Sequence, residues 1–152
     1  MNYHNITKDD MLNGEGLRVV LWVAGCNHRC PGCQNPQTWD VEGGIPFDET
    51  AKQELFAELE KPYIDGITFS GGDPVHPCNR QSIYELAREI KEKYPKKTIW
   101  VYTGYTYEQI QEINLIKYID VLVDGPYVES LRDLSLEYRG SSNQRVIRFC
   151  KR

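Results

Sequence analysis

Apolar and polar positions along this chain fall into blocks that alternate between a strand-like and a helix-like period. Residues 17–24, Leu-Arg-Val-Val-Leu-Trp-Val-Ala, are rich in β-branched and aromatic side chains and predict a buried strand that Gly25 ends. Asp48 predicts a cap for a helix running to about residue 60, on which Ala51, Leu55 and Leu59 recur every four residues. Residues 66–70 predict a second short strand, followed by Gly71-Gly72-Asp73-Pro74. The clearest helical period spans residues 80–94, with Ile83, Leu86, Ala87 and Ile90 on one face and Pro95 as the stop. Residues 98–103 predict a third strand broken by Gly104, and Thr106 with Gln109 a capping box opening a short helix. Residues 119–124 predict a fourth strand stopped by Gly125-Pro126. An irregular stretch at 139–144 precedes a last strand at 145–149.

Strands alternating with helices predict an α/β fold with a mostly parallel sheet and right-handed crossovers. Ligand sites in such sheets gather beyond the carboxyl ends of the strands. The residues with chemical interest fall there: Cys26 after the first strand, Gly71 and Gly72 after the second, Gly104 after the third, Asp124 and Gly125 after the fourth. The 152 residues are read as one domain, 1–152.

Composition narrows the class. With 40% hydrophobic and 26% charged residues the chain is expected to be globular, not disordered. A formal net charge of -4 gives it no bulk attraction to nucleic acid. No apolar run reaches the roughly 18 residues of a membrane span. The first residues lack the basic-then-apolar order of a signal peptide, so a cytoplasmic location is expected. Five cysteines are an odd number, and three of them lie within eight residues. A disulfide scaffold favours even, dispersed cysteines, so the cluster points to metal or redox chemistry.

The cluster reads Cys26-Asn-His-Arg-Cys30-Pro-Gly-Cys33. Thiolates this close can converge from one loop onto one inorganic centre. Electron-transfer cubane clusters take four thiolates, whereas this loop supplies three, which would leave one iron open to a ligand. Structural zinc in a Cys3His set with His28 is an alternative, although His28 lies closer to Cys26 and Cys30 than usual zinc spacing. A redox dithiol at Cys30 and Cys33 is another, but it leaves Cys26 unexplained. His28 by itself is read as a solvent-facing loop residue.

Ser70-Gly71-Gly72-Asp73-Pro74 permits close backbone approach to a ligand. Its carbonyls could accept from an ammonium group, with Asp73 adding charge assistance. Alone, such a sequence is a plain turn before a helix more often than a site. Arg18 is read as a strand-edge charge in preference to a group positioning a ligand near the first strand, and Tyr102, Tyr105 and Tyr107 as core and rim aromatics in preference to radical carriers. Asp124 stands evenly between touching ribose hydroxyls and capping the turn at Gly125. Asn143 and Gln144 either face a partner or satisfy local backbone. Cys78 and Cys150 are taken as spectators.

The Cys26-x3-Cys30-x2-Cys33 pattern after a first strand resembles the signature of the radical S-adenosylmethionine superfamily. Gly32 stands where an aromatic residue is common, and Cys-Pro-Gly-Cys is similar to the glycyl-radical activating enzymes of anaerobic (class III) ribonucleotide reductase. Gly71-Gly72-Asp73 resembles the superfamily's Gly-Gly-Glu motif, with Asp in place of Glu as in that branch. The segments at 13–18, 100–104, 123–125 and 139–144 extend the likeness over essentially the whole chain.

The resemblance implies a partial, open radical-SAM-type β/α barrel. It implies a [4Fe–4S] cluster on Cys26, Cys30 and Cys33, with S-adenosylmethionine on the fourth iron. Gly32, Cys33, Gln34, Gly71, Gly72 and Asp73 would then contact that cofactor. Reductive cleavage would give a 5′-deoxyadenosyl radical that abstracts hydrogen from a glycine of the reductase. No catalytic side chain is expected, because the cofactor carries the chemistry. An external one-electron donor and a homodimer, or a tetramer with the reductase, are further implications. Another radical enzyme, such as a different glycyl-radical activase or a 7-carboxy-7-deazaguanine synthase, and a zinc-stabilised interaction module remain open alternatives.

Overall fold

A computed structural model describes residues 1–28, 30–32 and 38–149. Its strands are β1 (Asn2–Asp10), β2 (Arg18–Val23), β3 (Ile45–Pro46), β4 (Gly66–Gly71), β5 (Thr98–Tyr102), β6 (Val121–Asp124) and β7 (Arg145–Arg148). Helix α1 (Glu49–Leu59) separates β3 from β4, α2 (Arg80–Lys93) separates β4 from β5, and the single turn α3 (Tyr107–Ile110) follows β5. The strands lie in one sheet of order β3-β1-β2-β4-β5-β6-β7. The central four, β2, β4, β5 and β6, pair in parallel. The flanking strands β1, β3 and β7 run antiparallel. The architecture is therefore α/β with an open, mixed sheet.

The flanks depart from the sequence expectation. Strand β1 escaped the pattern because only Tyr3 and Ile6 are buried hydrophobics on it, and bulges between Tyr3 and Asn5 and between Thr7 and Asp10 break its alternation. Its antiparallel pairing with β2 satisfies one side of a strand that would otherwise be an edge.

Strand register divides the side chains into two faces. Val19, Leu21, Val23, Ile67, Phe69, Ile99, Val101 and Leu122 share one face, and all join a single core with Leu55, Leu59, Ile83 and Ile90 of α1 and α2. Asp48 caps α1 by accepting from the Ala51 amide at 2.9 Å, and Thr106 with Gln109 forms the capping box of α3. The opposite face carries Arg18, Trp22, Thr68, Ser70, Trp100 and Tyr102. It is the more polar and aromatic of the two, and the segment 127–144 packs across it through Tyr138, whose ring meets Trp100 edge-on at 5.0 Å.

Arg18 closes the amino-terminal end of that face, which corrects its reading as a strand-edge charge. It is fully buried. Its guanidinium donates to Thr68 Oγ1 (2.9 Å), the Glu15 carbonyl (3.0 Å), Thr98 Oγ1 (2.8 Å), the Ile67 carbonyl (2.8 Å) and the Thr98 carbonyl (2.7 Å). These partners come from the loop before β2 and the starts of β4 and β5. Burial pushes its pKa down to about 10, still far enough above neutrality to keep the charge. A second clamp holds the sheet margin. Asp124, buried at the end of β6, accepts from the Tyr107 amide (2.8 Å) and from Arg145 Nε (3.1 Å) and Nη2. Arg145 also forms a two-pronged pair with exposed Glu108.

Two outcomes are expected. Arg18→Leu leaves several buried oxygens without donors and should lower unfolding free energy by about 3–5 kcal/mol, read as a shifted urea midpoint with unchanged slope. Arg145 hydrogen bonds hold the Glu108 carboxyl down at about 2 against an ordinary 4.5. A depressed folded value means this stabilisation is full above pH 4.5 and is lost as pH falls towards 2. Acid unfolding of Glu108→Gln should accordingly show a shallower loss of stability over that window, with the difference shrinking in high salt.

Candidate functional site

The carboxyl ends of β2 and β4 and the far side of the cysteine loop are bound to one another by backbone. The Gly25 amide donates to the Thr38 carbonyl (2.6 Å) and the Cys26 amide to the Trp39 carbonyl (3.1 Å), so the far side of the cysteine loop returns beside its start. The Gly72 amide donates to the Val23 carbonyl (2.8 Å) and the Asp73 amide to the Gly25 carbonyl (2.7 Å). Three backbones thus meet at Gly72, where a Cβ would stand 2.6 Å from the Gly25 oxygen and 2.8 Å from that of Thr38. Gly71 before it adopts a positive φ of 105°. Asn79, the residue preceding α2, ties the same region from below, donating to the Ala24 (2.8 Å) and Asp73 (3.1 Å) carbonyls.

Cys26, Cys30, Gly71 and Gly72 line one cleft of about 140 Å³, together with Thr103 and Gly104. Through Ser70, Tyr102, Tyr127 and Gln144 it runs into a groove of about 420 Å³ over the polar face of the sheet. Two buried polar atoms on this groove, Tyr102 Oη and Arg139 Nε, have no hydrogen-bond partner among the described residues. Burial pushes the Tyr102 phenol upward, so it stays protonated and available as a donor. Paired soft thiols beside a glycine cradle and unsatisfied donors suit a thiolate-bound iron centre with a polar organic ligand. The donor set and the cradle therefore fit a [4Fe–4S] centre.

Asp73 is 1% exposed and both its oxygens are engaged. Oδ1 accepts from the Val75 amide (2.8 Å) and Thr103 Oγ1 (2.8 Å); Oδ2 accepts from Thr103 Oγ1 (2.9 Å) and the Gly104 amide (3.0 Å), and lies 2.7 Å from His28 Nε2. The carboxylate faces inward, behind the glycine turn. His28 is correspondingly not a solvent-facing residue. Its side chain is 18% exposed and packs edge-on against Tyr105 at 4.7 Å. Ligand atoms of Cys26, His28 and Asp73 lie within 4.8 Å of one another, but the hydrogen bonds on Asp73 already occupy its oxygens.

Other candidates are placed as follows. Gly32 sits exposed at the rim, with φ 78°, against Glu129. Cys33, Gln34 and Cys150 lie outside the described residues. Asp124 is occupied by Arg145 and the start of α3, a structural role different from a cap on the Gly125-Pro126 turn. Asn143 donates to the Pro126 carbonyl (2.7 Å), and Gln144 bridges the Gly140 amide (2.9 Å) and Gly125 carbonyl (3.0 Å), so both serve local backbone. Cys78 is exposed. The residues that sequence reasoning missed are Thr103 and Asn79. Thr103 carried one signal, a hydroxyl at a strand's end just before a glycine.

Comparison with known proteins is consistent with this geometry. The family described as a 4Fe-4S single cluster domain matches residues 12–147. Proteins named anaerobic ribonucleoside-triphosphate reductase-activating protein are similar along nearly the whole length. The one of Enterobacteria phage T4 is 45% identical over 146 residues, covering 96% of this chain and 93% of its own. That of Escherichia coli is 44% identical over 150 residues, 96% and 97%. That of Haemophilus influenzae is 40% identical over 153 residues, 98% and 99%. With the cysteine loop, the Gly71–Gly72 turn and this full-length likeness in agreement, the chain belongs to the family of anaerobic ribonucleoside-triphosphate reductase-activating proteins.

Proposed function

We propose that this chain activates an anaerobic ribonucleotide reductase by placing a radical on a glycine of that protein. The observation carrying the reading is the single cleft that joins Cys26 and Cys30 to Gly71 and Gly72 beyond the parallel strand ends. A [4Fe–4S] cluster with S-adenosylmethionine would supply the chemistry: reductive cleavage of the sulfonium by one external electron, followed by hydrogen abstraction from the glycine.

The chain's own residues bind, orient and shield. Cys26, Cys30 and Cys33 hold three irons as thiolates. Backbone carbonyls at Gly71 and Gly72 take the methionine ammonium, with Asp73 fixing the turn from behind. Gly32, Cys33 and Gln34 would contact the same cofactor. Tyr102, protonated and without a hydrogen-bond partner among the described residues, offers a hydrogen bond to the bound cofactor. The open sheet is read as a partial radical-SAM-type barrel. Its groove over the polar face gives a segment of the reductase access that a closed barrel would deny. We further infer a cytoplasmic protein that works as a homodimer or as a tetramer with the reductase; among the described residues no helix is long and apolar enough to cross a membrane.

The test mixes reduced protein, S-adenosylmethionine and a candidate anaerobic reductase without oxygen. A glycyl EPR doublet on the reductase and stoichiometric 5′-deoxyadenosine are expected, and Cys26→Ala should abolish both. Formation of 5′-deoxyadenosine without the doublet would remove the reductase as target. No cleavage by an iron-loaded protein would remove the radical reading itself.

A further inference from the structure

The cysteine loop carries one ring that turns inward. His28 stands two residues from Cys26 and two from Cys30, and three contacts hold it. Nε2 lies 2.7 Å from Asp73 Oδ2. The ring meets Tyr105 edge-on, at 79° between planes. Its Cδ2 fills the space beside Gly104, where a Cβ would come within 2.4 Å. Because a carboxylate oxygen accepts, His28 donates through Nε2–H. Asp73 is held in turn by the Val75 and Gly104 amides and the Thr103 hydroxyl, groups that follow β4 and β5. The path from cysteine loop to sheet is therefore continuous: His28, Asp73, then the ends of two central strands.

We propose that His28 is the positioning residue of the cysteine loop, latching it through Asp73 to the ends of β4 and β5 so that Cys26 and Cys30 are presented together before any cluster arrives. Asp73 acts by way of His28 and the backbone, with no oxygen left for a bound ammonium. The benefit is preorganisation, since a loop ordered on folding does not have to be ordered again on taking up iron. Gly104 belongs to the latch because any side chain there would displace the ring. The cluster-related purpose rests on the proposed function, whereas the latch is a property of the metal-free chain.

The experiment separates the two. In metal-free protein, native alkylation of Cys26 and Cys30 by iodoacetamide is followed by peptide mass spectrometry, with exposed Cys78 as internal reference. His28→Phe keeps a ring but loses the donor, His28→Gln keeps a donor, and Gly104→Ala evicts the ring. Cys26 and Cys30 should react at least about tenfold faster in His28→Phe and Gly104→Ala, equivalent to about 1.4 kcal/mol of loop opening, and within about threefold of wild type in His28→Gln. Cys78 should not change. After anaerobic reconstitution, iron release to a chelator should follow the same order. Cys26 and Cys30 reactivity in His28→Phe equal to wild type would overturn the latch. So would Cys78 accelerating equally, which would report general loosening. A wild-type chain that takes up no cluster would overturn the functional reading, while the alkylation order would still decide the latch.

Discussion

Burial of the Asp73 carboxylate is the constraint on which the candidate site depends. A carboxylate shielded from water must find donors for its lone pairs, and the penalty for leaving them empty exceeds the gain from a typical hydrogen bond. Here the donors come from the turn after β4, from the residues after β5 and from the cysteine loop. One buried charge thus determines how three separate segments sit relative to one another. The glycine turn next to it, held to β2 by backbone hydrogen bonds, inherits that arrangement.

The sheet divides its labour along its length and across its faces. One face packs α1 and α2 into a conventional apolar core. The other carries Arg18 at the amino-terminal end, where a buried cation gathers the strand starts, and the cleft at the carboxyl-terminal end. Stability and chemistry therefore occupy opposite ends of the same polar face. Between them the rings of Trp100 and Tyr138 meet edge-on.

Much of this was legible in the sequence, and the limits have physical causes. The four parallel strands, α1, α2 and both caps follow from local periodicity and capping chemistry, which are properties of neighbouring residues. The cysteine loop and the glycine turn were legible for the same reason, as short contiguous motifs. Strand β1 was not, because its bulged, polar segment has no periodic signal and takes its structure from pairing with β2. The antiparallel sense of β7 is likewise a fact of pairing partners. His28 and Arg18 were misread because exposure depends on what the rest of the chain brings over a side chain. Asp73 lies 45 residues from His28, and Thr98 lies 80 from Arg18. Asp124 was undecided until Arg145, 21 residues on, supplied the charge that occupies it.

If three thiolates hold the proposed cluster, one iron stays open beside the glycine turn. EPR of the anaerobically prepared, reduced protein with and without S-adenosylmethionine tests it most directly. A [4Fe–4S]⁺ signal that changes when S-adenosylmethionine is added is expected. A signal indifferent to S-adenosylmethionine, or a colourless chain holding one zinc, would contradict it.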